Sequence, residues 1–232
     1  MLHADSIGIS FGTRRVLSSA RIEASSGEVT GLLGRMGTGK STLLKVCAGI
    51  VQPDSGWVQF DGVRYHRARR TALARRGMFY LGESANLASG MTLRQHFDLV
   101  EKRFGAGDRE GVIELLAVSD LIDARIESLS TGELRRAEMA LALLRRPLCL
   151  LADEAFRSLD PIVCETIGTS LRRLAVEGCA VVVTGHEVET LKPFLDSVTW
   201  VTSGTTYSLG NVESAWKNER FTREYLGALP VA

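Results

Sequence analysis

Gly34-Arg35-Met36-Gly37-Thr38-Gly39-Lys40-Ser41-Thr42 decides how the rest of the chain is read. It fits G-x-x-x-x-G-K-[ST], a loop whose backbone cradles phosphate. The apolar run Val29 to Leu33 leads into it and predicts a buried strand; Thr42 to Ala48 predicts the helix that follows. Gly34, Gly37 and Gly39 let the backbone turn tightly and approach a phosphate with no Cβ in the way. Met36 and Thr38 fill the variable positions of the loop. The free N–H groups of the loop and helix start would face an anion, and the helix dipole favours negative charge there. Lys40 reaches the β- and γ-phosphates in this motif, and the Ser41 hydroxyl binds Mg²⁺. A plain glycine-rich turn before a helix does not explain a lysine and a hydroxyl residue placed behind those glycines, between a strand and a helix.

The chain has 232 residues, 45% of them hydrophobic, and a net charge of +1. At roughly 150 residues per domain, that predicts one domain, or one carrying a subdomain. Neither a global basic signature for nucleic acid nor an acidic tail is present. The four cysteines, Cys47, Cys149, Cys164 and Cys179, show no metal-ligand spacing. Three of them, Cys47, Cys149 and Cys179, lie in apolar runs and read as small buried hydrophobes in a reduced compartment. No apolar run approaches the roughly 18 residues that cross a bilayer, and Met1-Leu2-His3 opens no signal peptide. A cytosolic protein is expected, reaching a membrane only through a partner.

Along the chain, Ser6 to Phe11 and Val16 to Glu23 alternate as strands. Trp57 to Phe60 reads as a short strand closed by Asp61-Gly62, and Met78 to Leu81 as another. A small antiparallel sheet beside a nucleotide-binding α/β core is the expected architecture. His66 to Arg76 is arginine-rich; with no interleaved aromatics it reads as a solvated helix face rather than a nucleic-acid patch. From Thr92 to about Ile122 the period turns helical, with a break at Gly105-Ala106-Gly107-Asp108. This predicts a helical subdomain over about 86–128, inserted in the core. Leu134 to Leu144 and Ile162 to Val176 read as helices. Leu148 to Ala152, Ala180 to Thr184, Val198 to Val201 and Tyr207 to Leu209 read as strands. A short helical tail, Glu213 to Trp216 and Thr222 to Leu226, follows.

Four further stretches carry chemistry. Leu148 to Glu154 is an apolar strand ending in Asp153-Glu154, at the strand end where α/β sheets bind ligands. Asp153 can hold Mg²⁺, and Glu154 can take a proton from an attacking water. Ser130-Thr131-Gly132-Glu133 opens a helix. Ser130 can cap it in a capping box with Glu133, or touch a phosphate; the residues leave both readings open. Ser158-Leu159-Asp160-Pro161 reads as a helix start with proline at the first position. His186 ends the strand that runs to Thr184.

The order of these motifs resembles the nucleotide-binding subunits of ATP-binding cassette (ABC) transporters, over Phe11 to His186. Gly34 to Thr42 is similar to Walker A and Leu148 to Glu154 to Walker B. Leu129 to Glu133, here LSTGE, is similar to the LSGGQ signature; Ser158-Leu159-Asp160 resembles the D-loop and His186 the switch histidine. The resemblance implies a P-loop NTPase fold, ATP and Mg²⁺ as ligands, and Phe11 stacking on adenine with Val16 as its apolar neighbour. It implies Glu154 as general base, with Lys40 and His186 stabilising charge on the transferring phosphoryl group. It also implies a head-to-tail dimer in which Ser130, Thr131, Gly132, Glu133 and Asp160 serve the partner's nucleotide. Glu83 stands where the family usually has a glutamine that touches Mg²⁺ and senses the transmembrane partner. Its oxygen suits a metal, but its charge adds to Asp153 and Glu154. The expected function is an ATP-hydrolysing motor that drives a separate permease at the inner face of the cell membrane. A soluble ATPase of protein or cofactor assembly is the alternative, and a nucleotide sensor with little hydrolysis is a third reading, disfavoured by an intact Glu154 and His186.

Overall fold

A computed structural model describes residues 1–82 and 87–227. Its strands are β1 (Leu2–Phe11), β2 (Arg14–Ala24), β3 (Val29–Leu33), β4 (Ser55–Phe60), β5 (Val63–Tyr65), β6 (Met78–Leu81), β7 (Cys149–Ala152), β8 (Ala180–Val183), β9 (Ser197–Thr202) and β10 (Thr205–Asn211). The main helices are α1 (Lys40–Cys47), α2 (Arg70–Arg75), α3 (Leu93–Phe104), α4 (Arg109–Leu115), α5 (Thr131–Arg145) and α6 (Pro161–Val176). Short helices, Val188–Leu191 and Val212–Lys217, and a π-helical turn, Thr222–Leu226, complete the later part.

Strand order is β5-β4-β1-β2-β10-β9-β3-β8-β7-β6. From β9 through β3, β8 and β7 to β6, every pair is parallel. Parallel neighbours need crossover connections, and the helices supply them. The expected antiparallel sheet is β5-β4-β1-β2. It joins the core through β10, at a single parallel pairing of Thr205 with Ser19 and the bond from Ser18 N to Gly204 O (2.7 Å). The two sheets therefore form one continuous, curled surface rather than lying side by side.

β3, β7 and β8 are buried along their whole length, which is why they read as unbroken apolar runs. Period-2 alternation divides their side chains between two cores. Leu32, Cys149, Leu151 and Val182 pack with Leu43, Leu44 and Cys47 of α1 and with the apolar residues of β1, β2 and β4. Leu150, Ala152, Val181 and Val183 face the other way, onto α5 and α6 and onto Leu93, Phe97, Val112 and Leu116 of the helical segment.

Local signals explain the element ends. Thr92 and Gln95 form a capping box at α3, and Gly105 ends that helix where the break was expected. Asp108 then caps α4 by accepting from Gly111 N at 3.0 Å. Arg67, Arg69, Arg70 and Arg75 are exposed, as a solvated face requires, while Arg76 pairs with Asp61 at 2.9 Å. Asp61-Gly62 proves to be a hairpin turn into β5, a three-residue strand too short for a period to show. β1 starts at Leu2 rather than Ser6, because Leu2 and Ala4 pair with both β2 and β4. All four cysteines are free and buried, including Cys164, which sits in a helix rather than an apolar run. Burial pushes the thiols of Cys47 and Cys179 up to about 12, so they stay protonated and unreactive.

Candidate functional site

The site lies where β3, β7 and β8 end. Beyond Leu33 the loop passes so close to β9 that a Cβ at Gly34 would stand 2.4 Å from the Val201 carbonyl oxygen. Gly39 has φ of +103° and a Cβ there would meet Leu17 Cδ2 at 2.6 Å, so position 39 requires glycine twice over. The loop holds itself from within: Thr38 Oγ1 donates to Arg35 O at 2.8 Å, and Lys40 Nζ donates to Gly34 O (2.7 Å) and Arg35 O (3.1 Å). Lys40 is only 4% exposed. Burial lowers its pKa from the ordinary lysine value, while Glu154 and Asp153 oppose that shift. α1 starts at Lys40 with no side-chain cap and no acidic residue in its first turn, which leaves its N–H groups for an anion.

Asp153 follows β7 on the α1 side and is fully buried. Its Oδ1 accepts from the Ser41 and Thr184 hydroxyls, each at 2.9 Å, and its Oδ2 accepts from the Tyr80 hydroxyl at 3.0 Å. Glu154 sits in the left-handed region at φ +53°, unusual for a residue with a Cβ and characteristic of strained functional positions. Its backbone N–H donates to Thr184 Oγ1 at 2.8 Å, so one hydroxyl positions both carboxylate residues. Burial raises the Glu154 pKa; Lys40 counteracts this and Asp153 adds to it. His186 Nε2 stands 3.1 Å from Glu154 Oε1. Burial, then Lys40 and Arg157, lower the His186 pKa, so at neutral pH the contact is made by a neutral imidazole, not an ion pair.

These groups open onto one cleft of about 520 Å³. Of the residues expected from sequence, Phe11, Val16, Met36, Gly37, Gly39, Lys40, Ser41, Thr42, Glu154 and His186 line it. Phe11 and Met36 stand exposed at its mouth, 52% and 79% accessible. Asp153 lies behind Ser41, and Gly34 and Thr38 shape the loop from outside the cleft.

Ser130, Thr131, Gly132, Glu133 and Asp160 do not line this cleft. Ser130 and Glu133 make the capping box of α5: Ser130 N donates to Glu133 Oε2 at 2.8 Å and Ser130 Oγ to the same oxygen at 2.6 Å. Those bonds from Ser130 hold the Glu133 carboxyl below its ordinary range. Asp160 caps α6 by accepting from Val163 N at 2.9 Å. Glu83 lies outside the described residues.

Four contributors were missed in the sequence. Arg14 and Arg157 line the cleft, and Tyr80 and Thr184 hold Asp153. Thr184 carried a usable signal, a hydroxyl ending an apolar strand beside the carboxylate strand. Tyr80 and the arginines carried none without the strand register.

A family model described as "ABC transporter" matches residues 17–157. The lipopolysaccharide export system ATP-binding protein LptB of Haemophilus influenzae is 30% identical, over 98% of this chain and 97% of its own. Among solved structures, the ADP conformation of MJ1267, an ATP-binding cassette of an ABC transporter, superposes with a TM-score of 0.83 at 20% identity, covering 98% of this chain and 99% of that one. A dimeric post-hydrolysis state of the cassette MJ0796, bound to ADP and Pi, gives a TM-score of 0.77 at 23% identity, covering 90% and 99%.

Proposed function

This chain belongs to the ABC transporter family as an ATP-binding, ATP-hydrolysing motor subunit, and on that premise we propose how its residues perform the work. The observation that carries the reading is the convergence of Lys40, Glu154 and His186 on one cleft, with Ser41 and Asp153 joined behind it. Phe11 and Val16 hold the adenine ring at the mouth. The loop N–H groups from Gly37 to Thr42 bind the phosphates. Lys40 exchanges its bonds to the Gly34 and Arg35 carbonyls for phosphate oxygens.

Ser41 and Asp153 offer a hydroxyl and a carboxylate oxygen within 2.9 Å of each other, a hard donor pair that fits Mg²⁺. Among the described residues no cluster of three or more His, Cys, Asp or Glu is placed to hold a metal alone, so a cation held by Ser41 and Asp153 would need further oxygen ligands from outside the protein. Held by Ser41 and Asp153, Mg²⁺ would supply positive charge against the phosphates. Glu154 takes the proton of the attacking water, its basicity strengthened by burial. Neutral His186 has a single N–H to give: it faces Glu154 in the chain alone, and with nucleotide bound it is given to the γ-phosphate instead.

Ser130 to Glu133 and Asp160 serve the nucleotide of a second copy in a head-to-tail pair; their position outside their own chain's cleft supports this. The helical segment over about 86–128, inserted in a single ATPase unit, faces a separate permease and holds the subunit at the inner face of the membrane. Among the described residues no helix is long and apolar enough to cross a membrane. The transporter subunits among its relatives favour this role over soluble assembly work.

Glu154→Gln tests the base directly. ATP turnover falls by at least about 10² while ATP binding persists; turnover at the wild-type rate would remove Glu154 from this role. The same variant reads the raised pKa. In the wild type, protonated Glu154 contributes stability below the ordinary carboxylate pKa, and that contribution is lost as pH rises through the raised folded value. Glu154→Gln flattens this loss in chemical denaturation measured across that range.

A further inference from the structure

A second, mainly apolar groove of about 230 Å³ lies beside β6, lined among others by Leu73, Phe79, Tyr80, Leu87, Val100 and Arg145. Tyr80 belongs both to this groove and to the nucleotide end of the sheet, because its hydroxyl donates to Asp153 Oδ2 at 3.0 Å.

The register explains the contact. Tyr80 pairs with Leu151 of β7, and Asp153 lies two residues beyond Leu151, on the same side of the sheet. Tyr80 packs with Met78, Cys149 and Leu151 in the core beneath α1, so a phenol on the neighbouring strand reaches the carboxylate from the side. β6 is an edge strand, at the end of the parallel part of the sheet and paired only to β7 among the described residues. It is therefore less held against displacement at its outer side than β3, β7 or β8, which pair on both sides. Burial, with Asp153 beside it, raises the Tyr80 pKa, so the phenol remains a donor at every physiological pH. Asp153 Oδ1 is already taken by Ser41 and Thr184, which leaves the Tyr80 bond to fix the rotation of the other oxygen. The neighbouring surface of the groove is stiff: Arg145 donates to Met78 O at 2.8 Å and stands 5.2 Å over the Phe79 ring. Pressure from the groove side is thus passed to β6 rather than absorbed.

We propose that Tyr80 is a positioning residue for Asp153 and ties the packing of the β6 groove to divalent-cation affinity at the nucleotide site. The proposal rests on the reading of Asp153 as a metal-binding carboxylate. Linkage makes it reciprocal: what fills the groove changes cation affinity, and bound cation changes the groove.

The test compares ATP affinity in Mg²⁺ with that in EDTA, in the Glu154→Gln chain so that nucleotide stays intact. The ratio of the two affinities is the readout. Tyr80→Phe, which keeps the ring, is expected to lower the ratio about tenfold, the scale of losing a partner that orients a metal ligand, with the EDTA affinity unchanged. An unchanged ratio in Tyr80→Phe, beside a lowered one in Asp153→Asn, overturns the role of Tyr80 and leaves the metal reading standing. An unchanged ratio in Asp153→Asn overturns the metal reading and the proposal with it. Val100→Trp, which fills the groove, is expected to shift the ratio when Tyr80 is present and not in Tyr80→Phe. Equal shifts in both backgrounds overturn the link to the groove.

Discussion

Two helix starts in this chain are built in opposite ways. α1 begins at a left-handed glycine with no side-chain cap, and its lysine is buried among backbone carbonyls. α5 begins at an exposed serine whose capping box with Glu133 satisfies it locally. An uncapped, buried helix start waits for an anion; a capped, exposed one is stable alone and needs a ligand only for function. The first is complete within one chain. The second carries a sequence suited to phosphate but does not line the cleft of its own chain, and this contrast supports the proposal of a site assembled from two molecules.

Substitutions on the two sides should differ accordingly. The largest effect is expected at Thr184→Val, on the α1 side. The Thr184 hydroxyl donates to Asp153 and accepts from Glu154 N, and its removal leaves that N–H buried and unpaired. A loss of about 1–3 kcal/mol of stability is expected by denaturant titration, with ATP turnover lowered alongside. Ser130→Ala, on the α5 side, should cost a cap, about 0.5–2 kcal/mol, with ATP binding by the isolated chain unchanged. A Ser130→Ala chain that loses nucleotide affinity as a monomer would erase the contrast, because it would place α5 at its own chain's cleft.

Much of this was legible in the residues. The loop glycines and Lys40 announce their geometry because backbone conformation and close approach dictate the residue type. Apolar runs reveal strands covered on both faces, as at Cys149 to Ala152, although Leu148 at the head of that run lies outside the strand and is exposed. The five-residue LSTGE stretch could be read as a cap or as a phosphate contact, and the structure shows the cap without removing the other use. What sequence could not show depends on register and on long-range approach. Tyr80 and Asp153 lie 73 positions apart and meet only because β6 pairs with β7. The strained backbone of Glu154 has no compositional mark, and β5 is too short to display a period.

The claim that one cleft is closed by a second chain is tested most directly by crosslinking. Met36 is exposed at the mouth of the cleft and Thr131 at the start of α5, while all four native cysteines are buried. Two differently tagged Glu154→Gln chains, one with Met36→Cys and one with Thr131→Cys, are mixed with a short bismaleimide, with and without ATP. The expected result is a crosslink between the two tags that forms only with ATP. No such product with ATP bound, or a product that forms equally without ATP, would contradict the two-chain site.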